Sequence, residues 1–509
     1  MTTFHRITSF MSVALVAALL GACGGGSSGG TPPPGPGPGP RPGPEPDPVA
    51  PDDPLVYIAS DDPAGGVFEL YLVDLATPGE ASKVNSPLVA GGSVGPYALS
   101  PDLTHVAYLA NQDSVDEMEL YIVDLAEPGE ATRLNAPLVD GGWVFEFAFS
   151  PDGSQIVYNA DQDEFDTFEL YLVDVADPGV STRLNPDLLP GSVVSTRMSF
   201  SPDGDAVLYV ADLDVAGQFE LYLVDLAAPG VATRMNGSFV AGGNVVGAPQ
   251  FSPDGTSIVY MADQEVDGIL ELFAVDVTTP AAATKLNGAL VADGDVCAFR
   301  FSPDSSGVAY CADQDTDGDL ELYVVDLAVP GVSTKVNAPL VAGGDVQSGT
   351  FRFGPDSDFL VYRADQDVDG DNELYMVDLT TPGVSAKLNG TLPAGGDVSL
   401  FRINPDGLQL IYAADQDSEG VAELYNADLS TPGTSTKLNP ARQGTEISLI
   451  ELNEEGSHAF YLADQDTAGA GEVYRIDIAA AGVATKINDA LPATGSVFDF
   501  AITEEYRAP

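Results

Sequence analysis

From Leu55 almost to Pro509 the apolar positions fall into short runs separated by polar turns, and the same order of runs returns about every fifty residues. One unit extends from Val144 to Leu184. Val144 to Phe149 (V-F-E-F-A-F) alternates large and small side chains and predicts a strand. Ser150-Pro151-Asp152-Gly153 predicts a turn, because Pro fixes φ and Gly tolerates positive φ. Ile156-Val157-Tyr158 predicts a second strand, Asp161 to Thr167 a polar loop, and Phe168 to Val175 a third strand. Asp177-Pro178-Gly179 turns the chain again, and Ser181 to Leu184 predicts a shorter fourth strand. No stretch repeats with helical period.

Four strands joined by short turns make an antiparallel meander. Its second and third strands carry little polar alternation, as expected when both sheet faces are covered. Sheets packed face to face around a ring meet that condition, so the expected fold class is all-β, a β-propeller of four-stranded antiparallel blades. The glutamate that opens each third strand occurs nine times: Glu69, Glu119, Glu169, Glu220, Glu271, Glu321, Glu373, Glu423 and Glu472. The first unit begins at its second strand (Val56-Tyr57-Ile58), while Val497 to Ile502 at the other end has the pattern of a first strand. The expectation is nine blades closed by the C-terminal strand, leaving no open edge. An eight-bladed ring and an open arc are the alternatives.

The elements S-P-D-G, I-V-Y-x-A-D-x-D and E-L-Y-L-V-D resemble the propeller repeats of the TolB family, over nearly all of residues 55 to 502. That resemblance implies a periplasmic propeller that acts by binding other envelope proteins. The chain departs from the family in having nine units instead of six and no preceding α/β domain.

Charge narrows the partners. The chain has 77 acidic and 19 basic residues, a formal net charge of −58. Such a surface repels polyanions, which excludes nucleic acid and leaves cations, basic proteins and metal ions. Residues 1–22 read as a signal peptide, with His5 and Arg6 ahead of the apolar run Phe10 to Leu20, too short to span a bilayer. Leu20-Gly21-Ala22-Cys23 resembles the lipobox of bacterial lipoproteins and implies lipidation of Cys23. Gly24 in place of Asp resembles the outer-membrane sorting of such lipoproteins. Residues 23–54 are a Gly/Pro-rich linker, and 55–509 form the propeller. The expectation is a monomer anchored to the outer membrane, facing the periplasm or the exterior.

Strand direction alternates within a blade, so all nine Asp-rich loops between second and third strands emerge on one face. Asp313, Asp315, Asp317, Gly318 and Glu321 fall at positions one, three, five, six and nine of their loop, and Asp365, Asp367, Asp369, Gly370 and Glu373 repeat this. Calcium takes six to eight oxygens, and alternate residues of a tight loop can aim at one point. The pattern resembles the D-x-D-x-D-G-x-x-D loops of integrin-type propellers, with Glu for the last Asp. Asp263, Glu265, Asp267 and Glu271 keep every acid, as do Asp415, Asp417, Glu419 and Glu423. Other loops lose the fifth position to Ala216, Ala468, Phe165 or Val115, and Ser60 to Gly66 is out of step. Calcium is therefore the expected cofactor of the four fuller loops. The competing arrangement is a solvated hairpin whose Asp side chains accept backbone N–H bonds. The Asp of each V-D pair (Asp174, Asp326, Asp378) and the Asn of each L-N pair (Asn185, Asn337, Asn389) are expected to bond their own backbone at strand ends.

Cys297 and Cys311 flank the turn at Pro303 to Ser306 and are expected to form a disulfide. Beyond the leader the histidines are His105 and His458, in equivalent positions away from the acidic loops, which argues against a Ser-His-Asp arrangement or a His-rich metal site. The acids recur in every blade, whereas an active site breaks a repeat, so no catalytic residue is assigned. The reading is a lipid-anchored envelope propeller that binds a protein or extracellular ligand. A calcium-dependent polysaccharide lyase or hydrolase working in the channel, and a purely structural surface protein, are the alternatives.

Overall fold

The computed structural model describes residues 54–61, 66–440, 444–492 and 494–502. The expected signal peptide, Cys23 and most of the expected linker lie outside them. The described chain forms nine four-stranded antiparallel sheets, numbered here as blades from the N-terminus. Blade 3 shows the plan, with strands Val144–Phe149, Gln155–Ala160, Glu169–Asp174 and Ser181–Arg183 running from the inner edge outwards.

The second and third strands hold each blade together. Their central residues face one another directly, and in blade 7 that pair is Tyr362 and Tyr375, stacked at 5.6 Å between ring centroids. Every blade has such a pair, with Phe273 replacing one tyrosine in blade 5. Offset stacking of this kind adds about 0.5–1.5 kcal/mol per pair beyond simple burial. Apolar residues on both sides of these strands fill the spaces between blades. One cluster joins Leu322, Val336 and Ala309 of blade 6 to Phe351, Leu360 and Tyr375 of blade 7, and an equivalent cluster lies between every neighbouring pair.

The ring closes as the pattern of the ends predicts. Ser496–Ala501 pairs antiparallel with Pro54–Ser60 and so becomes the inner strand of blade 1. Leu55, Tyr57 and Val73 of that blade pack against Phe460, Leu462 and Val473 of blade 9. Nine blades is therefore the observed number, and neither the eight-bladed ring nor the open arc is formed.

Inner strands behave differently from the rest. Each pairs with its second strand through a register shift; in blade 7 the irregularity lies between Val346 and Phe351. Such bulges bend a strand and re-aim its side chains. Inner strands of adjacent blades pack directly on each other and line the central channel, with half-buried side chains. On the face away from the acidic loops, Gly153 takes φ 72° in the S-P-D-G turn, while Leu103, Ser305 and Ser357 adopt the same sign at equivalent turns.

Candidate functional site

Two arrangements carry chemistry: the acidic loops on one face, and the inner strands around the channel.

In each fuller loop the first acid serves the backbone; Asp263, Asp313 and Asp365 are buried and Asp415 is half-buried. Asp313 Oδ1 accepts the Asp295 N–H at 2.5 Å, and its Oδ2 accepts the Gly318 N–H at 3.1 Å. Asp365 takes the N–H groups of Asp345 (2.5 Å) and Gly370 (2.8 Å), and Asp263 those of Asn244 (2.5 Å) and Gly268 (3.0 Å). Asp415 accepts from Asp397 and, at 2.9 Å, from Gly420. Gly318 has φ 85°, and this left-handed turn aims its N–H back at the carboxylate. Each of these aspartates thus fastens its own loop to the segment that enters its blade.

The third and ninth positions do converge on a cation, and that cation is a side chain of the fourth strand. Lys335 lies 3.2 Å from Asp315 and 2.8 Å from Glu321; Lys387 lies 2.8 Å from Asp367 and 2.5 Å from Glu373. Lys285 joins Glu265 (2.6 Å) to Glu271 (2.8 Å), and Lys437 joins Asp417 (3.2 Å) to Glu423. The stacked tyrosine completes the group, Tyr375 donating to Glu373 Oε2 at 3.1 Å. Burial works against the charge of Lys387, but the hydrogen bonds it donates to Asp367 and Glu373 outweigh it and hold the ammonium above its ordinary range. Burial likewise opposes the charge of Asp417, yet Lys437 keeps that carboxyl below its usual range. Burial, then the charges of Glu373 and Asp367, push the Tyr375 phenol well up, so it stays a donor.

The fifth position goes elsewhere. Asp317, Asp369, Asp267 and Glu419 are exposed. Asp267 and Asp369 lie over Gly242 and Gly343, where an added Cβ would come within 2.8 Å and 3.2 Å of a carboxylate oxygen. The four acids of a loop therefore point in three directions. Among the described residues no group of three or more His, Cys, Asp or Glu side chains is placed to hold a metal ion.

Sequence reasoning missed the cation, although the signal was present. The basic residue follows the glutamate by fourteen positions, as in Glu69 and Lys83, Glu119 and Arg133, Glu169 and Arg183, or Glu472 and Lys486. The asparagines bond their own backbone as expected, Asn185 Nδ2 donating to the Pro186 carbonyl at 2.8 Å and Asn389 Nδ2 to the Gly390 carbonyl at 2.9 Å, and they also do more. Asp174 and Asp378 do accept a nearby N–H, at 2.9 and 2.7 Å. Asn185 and Asn389 are buried and reach across to the N–H of Leu170 and Leu374, both at 2.8 Å, pinning the end of the fourth strand to the start of the third. Cys297 and Cys311 are joined by a disulfide, Cα atoms 5.5 Å apart, between the inner and second strands of blade 6.

The channel strands vary from blade to blade. Arg300, Arg352 and Arg402 follow the phenylalanines that pair with the second-strand tyrosines in blades 6, 7 and 8. Ala148 holds the equivalent place in blade 3 and Glu451 in blade 9. Arg402 Nη2 lies 3.1 Å from Glu451 Oε1. Around blades 1 and 3 the channel strands carry aromatic rings: Phe498 meets Phe68 edge-on at 5.0 Å, and Phe145 meets Phe168 at 4.7 Å.

The sequence matches no protein-family model and no curated protein. Solved structures match in fold. A eukaryotic initiation factor superposes with a TM-score of 0.54 at 10% identity, over 90% of this chain and 98% of that one. Dipeptidyl peptidase 4 of Porphyromonas gingivalis gives 0.52 at 14% identity, over 80% of this chain and 64% of the peptidase, less than two thirds of its length. A putative TolB from Agrobacterium tumefaciens gives 0.31 at 18% identity, over 56% and 88% of the two chains, too loose to argue from. These identities speak for architecture alone: the chain is a nine-bladed β-propeller with its acidic loops gathered on one face.

Proposed function

We propose that this protein is a binding scaffold of the bacterial cell envelope, anchored through lipidated Cys23 and meeting a cationic partner with the face that carries its acidic loops. The observation that carries this reading is how charge is distributed on that face. Its fourth-strand cations are each held by a glutamate, while Asp267, Asp317, Asp319, Asp369 and Glu419 project into solvent from blades 5 to 8. A surface of one sign, held by a rigid closed ring, steers and retains partners of the opposite sign. The linker after Cys23 is long enough in Pro and Gly to hold the ring off a membrane.

The test titrates a lysine-rich peptide into the full chain at low and high salt. Binding should weaken steeply with salt. It should also weaken at least tenfold when Asp267, Asp317, Asp319, Asp369 and Glu419 are changed to their amides. A set of four on the opposite face (Glu80→Gln, Glu127→Gln, Glu130→Gln, Asp177→Asn) should leave it unchanged. Equal loss from both sets would reduce the acidic face to bulk charge and end the proposal. Replacing Cys23 by Ser should release the protein from the membrane fraction.

Calcium belongs to this proposal with a definite condition. An ion at Asp315 and Glu321, or at Asp367 and Glu373, must displace Lys335 or Lys387 and draw further oxygens from the loop. Calcium that raises the melting temperature of the Lys387→Met variant more than that of the parent would support such sites. An absence of bound ion after dialysis in both would exclude them.

A further inference from the structure

The acidic-loop face is not uniform. In blades 5 to 8 the fifth loop position is an acid and the sixth, where the chain turns left-handed, is a glycine, as in Asp369 and Gly370 with φ 89°. Blade 3 exchanges these types. Phe165 takes the fifth position, and Asp166 the sixth, holding the left-handed turn at φ 66° and donating its N–H to Asp161 Oδ2 at 3.1 Å. Blade 2 has the same order in Val115 and Asp116. A phenyl ring therefore stands where blades 5 to 8 present a carboxylate, and it is 54% exposed.

Phe165 does not stand alone on the surface. Its ring lies against Gly141, where an added Cβ would come within 3.6 Å of it. Two residues further on, Trp143 is half-buried with its ring 6.1 Å from that of Phe145, which in turn meets Phe168 at 4.7 Å. The indole donates its Nε1–H to the Asp116 carbonyl at 2.9 Å, so its polar end is satisfied. Together these rings carry apolar surface from the loop of blade 3 to its inner strand. Acids surround them: Asp140 and Glu164 adjoin Gly141 and Phe165 along the chain, Asp116 is tied to the indole, and all three side chains are exposed. The arginines of the two blades are already held, Arg133 by Glu119 at 2.7 Å and Arg183 by Glu169 at 2.9 Å. Exposed aromatic surface is stabilised by a partner that covers it. A second copy of this chain, at a net charge of −58, or an anionic lipid surface would bring like charge to the patch. Its complement is cationic and apolar at once, since ammonium and guanidinium groups are drawn both to the carboxylates and to the ring faces.

We propose that the patch around Phe165 and Trp143 anchors a basic amphipathic segment of a partner protein, in which lysine or arginine is interspersed with large apolar side chains. This rests on the reading of the acidic-loop face as a surface for a cationic partner, and adds that the partner docks its apolar side chains at blades 2 and 3. The carboxylates draw the segment to the face and make its arrival salt-dependent. The rings retain it, because a few desolvated aromatic anchors carry most of the binding energy of an interface.

Trp143 is the single tryptophan of the chain, so its fluorescence reports on this patch directly. The experiment titrates the full chain with two peptides of equal charge, a lysine peptide with phenylalanine at alternate positions and the same peptide with serine there. The phenylalanine peptide should shift the Trp143 emission and bind about tenfold tighter than the serine peptide. Phe165→Ser should bring its affinity down to that of the serine peptide, and leave binding of the serine peptide unchanged. Should that variant melt early, quenching of the parent by acrylamide carries the test: the phenylalanine peptide should shield Trp143 and the serine peptide should not. Equal affinity of the two peptides, or a Trp143 emission and quenching unaltered by the phenylalanine peptide, overturns this inference and leaves the acidic face a surface for cations. Failure of both peptides to bind overturns the two readings together. An emission that shifts with protein concentration alone gives the patch to a second copy of the chain and likewise overturns the proposal.

Discussion

The third strands and the inner strands of this propeller were built under opposite demands. In the third strand E-L-Y-L-V-D recurs with small changes, and each residue has a fixed duty. In blade 7 Glu373 holds Lys387, Leu374 fills the space between blades, Tyr375 stacks, and Asp378 closes the next turn. The inner strands share little beyond an apolar first residue and a bulge. They run from V-F-E-F-A-F in blade 3 to V-S-L-F-R-I in blade 8. A residue that packs between identical neighbours is constrained identically in every blade. A residue at the inner edge of a blade is not held to that repeated packing and is free to differ from blade to blade. Repetition in this protein marks what holds the ring together.

Substitutions can break that contrast. The largest effect should come from Tyr362→Ala in the stacked pair. It removes a fully buried ring and should cost about 3–5 kcal/mol, read from chemical or thermal unfolding. Next, Asp365→Ala strands the N–H groups of Asp345 and Gly370 and should cost about 1–3 kcal/mol. Proteolysis within the loop should rise with it, because the staple is what orders the loop.

Lys387→Met should cost about 1 kcal/mol, a value kept small because the lysine side chain is 34% exposed and partly screened by solvent. Its pH dependence is diagnostic. The folded state holds Lys387 above its ordinary 10.5, so the stabilisation is complete below that value and is lost as pH rises through the higher folded one. The gap in melting temperature between parent and variant should stay constant from neutral pH to about 10 and close above it.

The smallest effect sharpens the comparison from the other side. Arg352→Gln should change stability by less than about 0.5 kcal/mol, since no repeated packing rests on it. A loss as large as that of Asp365→Ala would make the channel arginine a structural member of the ring and remove the distinction between the two regions.

Most of the architecture was legible because the information is local and repeated. Nine third-strand glutamates counted the blades, and Val497 to Ile502 announced the closing strand. The facing of the acidic loops followed from strand alternation alone. The spacing within Asp365 to Glu373 points acids one, three, five and nine at one calcium ion, whereas in the structure only three and nine meet, on Lys387. Spacing within the loop could not name that partner, since Lys387 lies fourteen residues beyond the glutamate, on a strand whose pairing sets the distance. Asn389 was placed at a turn by composition, yet its oxygen is carried by the same pairing to the Leu374 N–H.

By itself, then, the sequence determined the period, the strand order, the closure and the single acidic face, because these depend on turn chemistry and apolar spacing within one unit. Only the tertiary structure decided which charges meet. Packing brings fourth-strand lysines to loop acids and sets Arg300, Arg352 and Arg402 at one height around the channel. Strand pairing is the physical reason: Tyr323 faces Lys335 and Tyr375 faces Lys387, so residues distant along the chain are set side by side.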